Sequence, residues 1–103
     1  AGRQKEFIAG DSGFDYLILR NRQPGDRFFP LGAPGERKLK DFFVDANIDS
    51  IIRGEIPLLQ VPRGDIVWVS GCRISHKFRI EPTTKKIIEL SYCKIAERAG
   101  KDE

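Results

Sequence analysis

Six cations fall between positions 20 and 40 of this chain: Arg20, Arg22, Arg27, Arg37, Lys38 and Lys40. Only Asp26 and Glu36 oppose them there, which leaves a local charge of +4. Of the 18 basic and 15 acidic residues in the chain, the other 12 and 13 sum to −1, so the net charge of +3 sits in about one fifth of 103 residues. Arginine offers a planar fork of N–H donors that fits phosphate oxygens, and lysine a compact point charge. Gathered together they form an electrostatic footprint for a polyanion. The competing reading is a solvated face beside a turn, with the charge serving solubility.

No catalytic constellation accompanies these cations. His76 is the single histidine, between Ser75 and Lys77, with no cysteine or carboxylate at a recognisable spacing, and it reads as a surface or hinge residue rather than a general base. Asp41 and Asp45 lie one helical turn apart beside Lys38 and Lys40, where ordinary charge pairing accounts for them. Asp26 is expected to bond its own turn backbone or to pair with Arg27 or Lys38. Clustered metal ligands are not evident, so no metal and no catalytic residue is assigned. Neither Gly-x-x-x-x-Gly-Lys-Ser/Thr nor Gly-x-Gly-x-x-Gly occurs, and Gly10-Asp11-Ser12-Gly13 reads as a turn. No cofactor is expected in this chain.

The elements that must hold the cations follow from periodicity. Phe7-Ile8-Ala9 reads as a strand, and so does Phe14 to Arg22, whose apolar run Tyr16-Leu17-Ile18-Leu19 predicts cover on both faces. Pro24-Gly25 ends it in a turn, and Gly32, Pro34 and Gly35 mark a loop leading to Arg37-Lys38. From Glu36 to Asn47 the apolar residues Leu39, Phe42, Phe43 and Ala46 follow i, i+3, i+4, i+7, one stripe of an amphipathic helix. Arg37, Lys38 and Lys40 sit off that stripe in the first turns. The helix dipole disfavours cations at this end, so their presence there points to an external anion, and the helix amides would suit a phosphate.

Asp49 or Ser50 can cap a short second helix through Arg53, ended by Gly54 and Pro57. Leu58–Val61 and Ile66–Ser70 form a hairpin about Pro62-Arg63-Gly64-Asp65. Phe78–Ile80 reads as a strand, Glu81–Lys86 as a turn and Ile87–Ile95 as the last strand. Residues 1–13 are then a lead-in with an edge strand, 14–95 the body of the domain, and 96–103 a polar tail that frays. The expected fold is α+β, with mainly antiparallel or mixed sheets in a sandwich-like arrangement and one or two helices on one side.

Forty per cent hydrophobic residues, seven of them Phe, exclude a disordered chain. No apolar run approaches the roughly 20 residues that span a bilayer, and no signal-peptide pattern opens the chain. Cys72 and Cys93 lack Cys-x-x-Cys spacing, which suits a reducing, cytoplasmic setting. Methionine is absent even at position 1, which implies a piece of a longer protein.

The stretch from Gly25-Asp26-Arg27-Phe28 through Pro30-Leu31-Gly32 to Lys38-Leu39-Lys40-Asp41-Phe42-Phe43 resembles the C-terminal domain of bacterial tRNA(Ile)-lysidine synthetases. The pattern continues through Arg53, Ile56-Pro57-Leu58, Ile66-Val67-Trp68-Val69, Gly71 and Arg73-Ile74-Ser75, covering about residues 18–80. One departure is Asp49, where the family often has proline. The resemblance implies an α+β sandwich related to a module of phenylalanyl-tRNA synthetase. It also implies a parent ligase that activates the wobble cytidine of an isoleucine tRNA with ATP and Mg and joins lysine to it. The family's Ser-Gly-Gly-x-Asp-Ser adenylating loop is not present here, so chemistry would belong to an N-terminal catalytic domain and this segment alone would be inactive.

The implied partners are tRNA on its acceptor-stem side, that catalytic domain, and a second copy in a homodimer, with no membrane. Arg20, Arg22, Arg27, Arg37, Lys38 and Lys40, then Arg53 and Arg73, are the expected RNA contacts. A domain that instead packs on the rest of its protein or on a dimer mate, without touching RNA, is the alternative. Cations bonded to carboxylates would favour that reading, and convergent unpaired ones would favour RNA.

Overall fold

In the structure, a computed structural model describing residues 3–93, a four-stranded antiparallel sheet forms the centre. Its order is β2 (Ile18–Arg20), β5 (Leu58–Gln60), β6 (Ile66–Val69) and β7 (Arg73–Ile74). One core gathers Val67, Trp68 and Ile74 of this sheet with Phe78 and with Ile8 and Leu90, which come from the ribbon of β1 (Arg3–Ala9) and β8 (Ile87–Cys93). The second gathers Leu58, Ile66 and Val69 with Phe28, Leu39, Phe42 and Phe43. Those last four belong to the small ladder of β3 (Arg27–Phe28) and β4 (Arg37–Lys38) and to the helix α1 (Leu39–Asp45). The expected α+β arrangement, mainly antiparallel with its helix on one side, is the one that forms. The lead-in strand is longer than Phe7–Ala9, and its Ile8 is fully buried.

Helix α1 buries Leu39, Phe42 and Phe43 as the spacing predicts, and Ala46 packs beside them. Burial of side chains this large contributes about 1.5–3 kcal/mol each. The helix is shorter than residues 36–47 because both ends are claimed by other bonds. At the start, Arg37 and Lys38 pair with β3 as extended backbone. At the end, Asn47 takes φ 61°, Asn47 N–H donates to Val44 C=O and Ile48 N–H to Phe43 C=O, a Schellman closure sealed by Ile48 against the core.

Three expectations are corrected. The run Phe14–Arg22 is a strand only over Ile18–Arg20, and Tyr16 and Leu19 are more than half exposed. β2 sits at the edge of its sheet, so the apolar run is not covered on both faces. The second helix reduces to a 3-10 turn at Arg53–Glu55, because Asp49 Oδ1 accepts from Ile51 N–H and makes a local turn instead of capping a helix. Phe78 closes a 3-10 turn, His76–Phe78, capped by the Ser75 hydroxyl, rather than opening a strand. The hairpin of β5 and β6 forms as expected, with Gly64 at φ 116° in its loop, and Trp68 is core. The tail 96–103 and the last two residues of the strand expected to reach Ile95 lie outside the described residues.

Candidate functional site

The ladder of β3 and β4 sorts the basic segment. Arg27 stands opposite Lys38 and Phe28 opposite Arg37, so alternation sends these pairs to opposite faces. Phe28 enters the core against Phe42, edge to face at 5.1 Å. Arg37 on that side forms an ion pair with Asp45 of α1. Lys38 points the other way and is exposed.

Asp26 is the hub of the same region. Its carboxylate accepts from Arg20 Nη1 and Nη2 at 3.0 and 2.9 Å and from Gln23 N–H at 2.7 Å. Its carbonyl accepts from Leu39 N–H, the first residue of α1, at 2.9 Å. Arg20 also donates through Nε to Gln60 on β5, which ties the hub to the central sheet. Asp26 therefore bonds its own turn backbone at Gln23, as expected, but its ion-pair partner is Arg20 and not Arg27 or Lys38. Partial burial pushes its pKa up, but the bonds from Arg20 and Gln23 N–H, with the nearby charges of Arg20 and Arg22, outweigh burial and hold it below the usual carboxylate value. The helix N-terminus expected to seat an anion has only seven residues behind it, and its first amide is already bonded to Asp26.

The turn Gln23–Asp26, with Gly25 at φ 87°, carries Arg22 to one hollow with Lys38 and Lys40. This hollow has a volume of about 350 Å³ and includes Arg27, which is paired with Glu36 at 3.1 Å. Among the described residues Arg22, Lys38 and Lys40 have no ion-pair partner. Arg22 rests over the Phe43 ring at 5.6 Å, and Arg53 lies over the same ring at 5.9 Å while its Nε donates to Ile48 C=O at 2.9 Å. Arg73 lies over Phe42 at 5.7 Å and lines a separate hollow with Arg37, Asp45 and Leu31. Of the eight expected residues, the fold thus brings Arg22, Lys38 and Lys40 together unpaired. It places Arg20 in an internal bond network, Arg27 and Arg37 in ion pairs, and Arg53 and Arg73 on aromatic rings. Missed in the sequence was Asp26 as the link between β2, the turn and α1; its partner Arg20 is only six residues away, but no spacing rule selects it over Arg27.

Elsewhere the chemistry is structural. His76 stacks on Phe29 with centroids 4.7 Å apart, and its Nδ1 accepts from Gly32 N–H at 3.1 Å, which pins the loop of Pro30-Leu31-Gly32. Asp11 accepts from Lys85 and Lys86 N–H, which hold its carboxyl below the usual range. The Gly10–Gly13 turn is thereby tied to the segment that leads into β8. Burial pushes the Cys72 thiol up against the opposing pull of Arg73, the direction of an unreactive thiol. Among the described residues no three His, Cys, Asp or Glu side chains are grouped to hold a metal ion, and no helix is long and apolar enough to cross a membrane.

Comparison with known proteins agrees with this architecture. The TilS substrate C-terminal domain family matches residues 17–91. The chain is 41% identical over 87 residues to a tRNA(Ile)-lysidine synthase of Caldanaerobacter subterraneus subsp. tengcongensis, taking in 79% of this chain and 18% of that protein. It is 47% identical over 64 residues to the enzyme of the same name from Geobacter sulfurreducens, taking in 61% of this chain and 13% of that one. It thus spans under a fifth of the length of these curated relatives. A crystal structure of a TilS C-terminal domain superposes with TM-score 0.70 at 30% identity, covering 88% of this chain and 69% of that one. An N-terminal fragment of the phenylalanyl-tRNA synthetase β-subunit from Pyrococcus horikoshii shares the fold, with TM-score 0.66 at 16% identity over 86% of this chain and 27% of that one. By family match, sequence identity and fold together, the chain belongs to the TilS substrate C-terminal domain family.

Proposed function

We propose that this domain binds tRNA for an enzyme that attaches lysine to the wobble cytidine of an isoleucine tRNA. The observation that supports this most is the convergence of Arg22, Lys38 and Lys40, unpaired, on one hollow. A-form RNA hides its base edges in a deep groove, so a domain that grips a stem does so through phosphates, 2′-hydroxyls and shape. Three convergent cations beside the turn suit that task, and the acceptor-stem side of the tRNA is the part they would hold. Arg53 and Arg73, over the Phe43 and Phe42 rings and outside this hollow, are the further candidates for RNA contact. ATP, with Mg, and the chemistry belong in this reading to a catalytic domain outside the chain, in the cytoplasm.

The test is binding of an isoleucine tRNA transcript, followed by fluorescence anisotropy from about 50 to 200 mM salt. With three phosphate contacts, log affinity falls against log salt with a slope of about −2 to −3, or roughly 15–60-fold across that range. Replacing Arg22, Lys38 and Lys40 together by alanine removes most of the slope. Binding that ignores salt, or a triple variant that binds like the parent, would assign the domain to packing against its own protein.

A further inference from the structure

We propose that Asp26 is the positioning residue of the basic hollow, an acid required for polyanion binding because it sets the three cations in place. This inference rests on the reading of the hollow as an RNA site. Arg22 follows Arg20 by two residues, Gln23 opens the turn, and Lys38 and Lys40 flank Leu39. Asp26 bonds Arg20 and Gln23 through its carboxylate and Leu39 through its carbonyl, so the segments that carry Arg22, Lys38 and Lys40 are all tied to this one residue. The tie is sheltered: the side chains of Asp26 and Arg20 are 12% and 20% exposed. It is also anchored, since Arg20 reaches Gln60 on the central sheet.

The cations themselves oppose this arrangement. Arg22, Lys38 and Lys40 are like charges around one hollow, and left to themselves they separate. Arg22 follows β2 by two residues, held there by Asn21 Nδ2 donating to Gly54 C=O at 2.9 Å and by its own contact with the Phe43 ring. Apart from the Asp26 carboxylate, the Gln23–Asp26 turn is closed by one backbone bond, Asp26 N–H to Gln23 C=O at 3.2 Å. Cutting the Arg20–Asp26 fork frees the turn that carries Arg22, and with it the spacing between Arg22 and the two lysines. A phosphate backbone has fixed charge spacing, so cations that no longer match it bind fewer phosphates at once.

Two views give opposite signs for one substitution. If only net charge matters, Asp26→Asn makes the hollow more positive and RNA binds more tightly. If Asp26 positions, Asp26→Asn keeps an oxygen for Gln23 N–H, loses the ion-paired fork, and weakens binding. The expected result is roughly tenfold weaker tRNA affinity and a salt slope shallower by about one, as when one fewer phosphate is neutralised. Arg20→Lys leaves net charge unchanged but cannot reproduce the fork, so it should lower the slope in the same way. Amide spectra should keep the signals of Val67 and Leu90 in place while those of Gln23 and Arg22 shift, which separates a displaced turn from a lost fold.

Unchanged or tighter binding by a folded Asp26→Asn protein overturns the proposal. The triple Arg22, Lys38, Lys40 variant keeps the two failures apart. If that variant loses tRNA while Asp26→Asn does not, only the role of Asp26 falls. If the triple variant binds like the parent, the reading of the hollow falls and the role of Asp26 with it.

Discussion

Arg20 and Arg22 are two residues apart and meet opposite fates. Arg20 turns inward, forks onto Asp26 and bonds Gln60, whereas Arg22 lies on the Phe43 ring without an ion pair. Charge-assisted bonds to a sheltered partner are worth about 1.5–3 kcal/mol, so Arg20→Ala should lower unfolding free energy by that amount in a urea melt. Arg22→Ala gives up a partly exposed cation–π contact and should cost only about 0.5–1 kcal/mol. It should nevertheless reduce the salt slope of tRNA binding by about one. Equal destabilisation by the two changes would mean that Arg22 is as structural as Arg20. Arg22→Lys is informative too, because lysine keeps the charge but loses the flat group that rests on the ring.

At the scale of elements, α1 joins the core to the basic hollow. Its inner stripe is buried against the central sheet, and at its start Lys38, the last residue of β4, and Lys40, in its first turn, stand on either side of Leu39. Phe43 is fully buried, so Phe43→Ala should destabilise by about 3–5 kcal/mol, the transfer loss plus the cavity left behind. Arg22 and Arg53 both lie over that ring, so the same change should weaken tRNA binding even in conditions where the domain remains folded. Val44 points outward and is 60% exposed, and Val44→Ala should leave both properties within error, about 0.5 kcal/mol in stability. Denaturant melts and anisotropy on the two variants check the pair. A harmless Phe43→Ala would place the ring outside the core.

For the molecule as a whole, the acid response follows from Asp11, Asp26 and Asp65, whose carboxyl pKa values the fold holds below the ordinary one. Bonds from Lys85 and Lys86 N–H hold Asp11 low. For Asp65, burial acts upward, but the bond from Arg63 and the charges of Lys77 and Arg63 prevail, and its pKa lies below the ordinary value, as that of Asp26 does. A folded pKa below the unfolded one means that the unfolded chain binds more protons in the interval between them. The stability from these groups is complete above the unfolded value of about 3.9 and is lost as pH falls through the folded values. Thermal melts should therefore be level near neutrality and drop steeply below about pH 4. Asp26→Asn should start lower at pH 7 and fall less on the acid side. An acid limb of unchanged steepness would show that Asp26 contributes little to it.

Local pattern alone was enough for several features. The stripe Leu39, Phe42, Phe43, Ala46 announces its helix because helical periodicity is written in neighbouring residues, and the β5–β6 hairpin follows from two apolar runs about a Pro-Arg-Gly-Asp loop. The charge concentration at residues 20–40 and the family membership are likewise legible, since both depend on residue types in order. Which cations are free was not legible. That was decided by the β3–β4 ladder, whose two-residue strands are too short for any periodic signal and whose register sets Arg37 and Lys38 on opposite faces. It was decided as well by the reach of Arg20 to Gln60, forty residues away. A side chain's face depends on the partner strand and its register, and a buried bond on distant segments meeting. Neither is a property of neighbours in the chain, so only the folded molecule could divide the basic segment into cations that hold it together and cations that face outward.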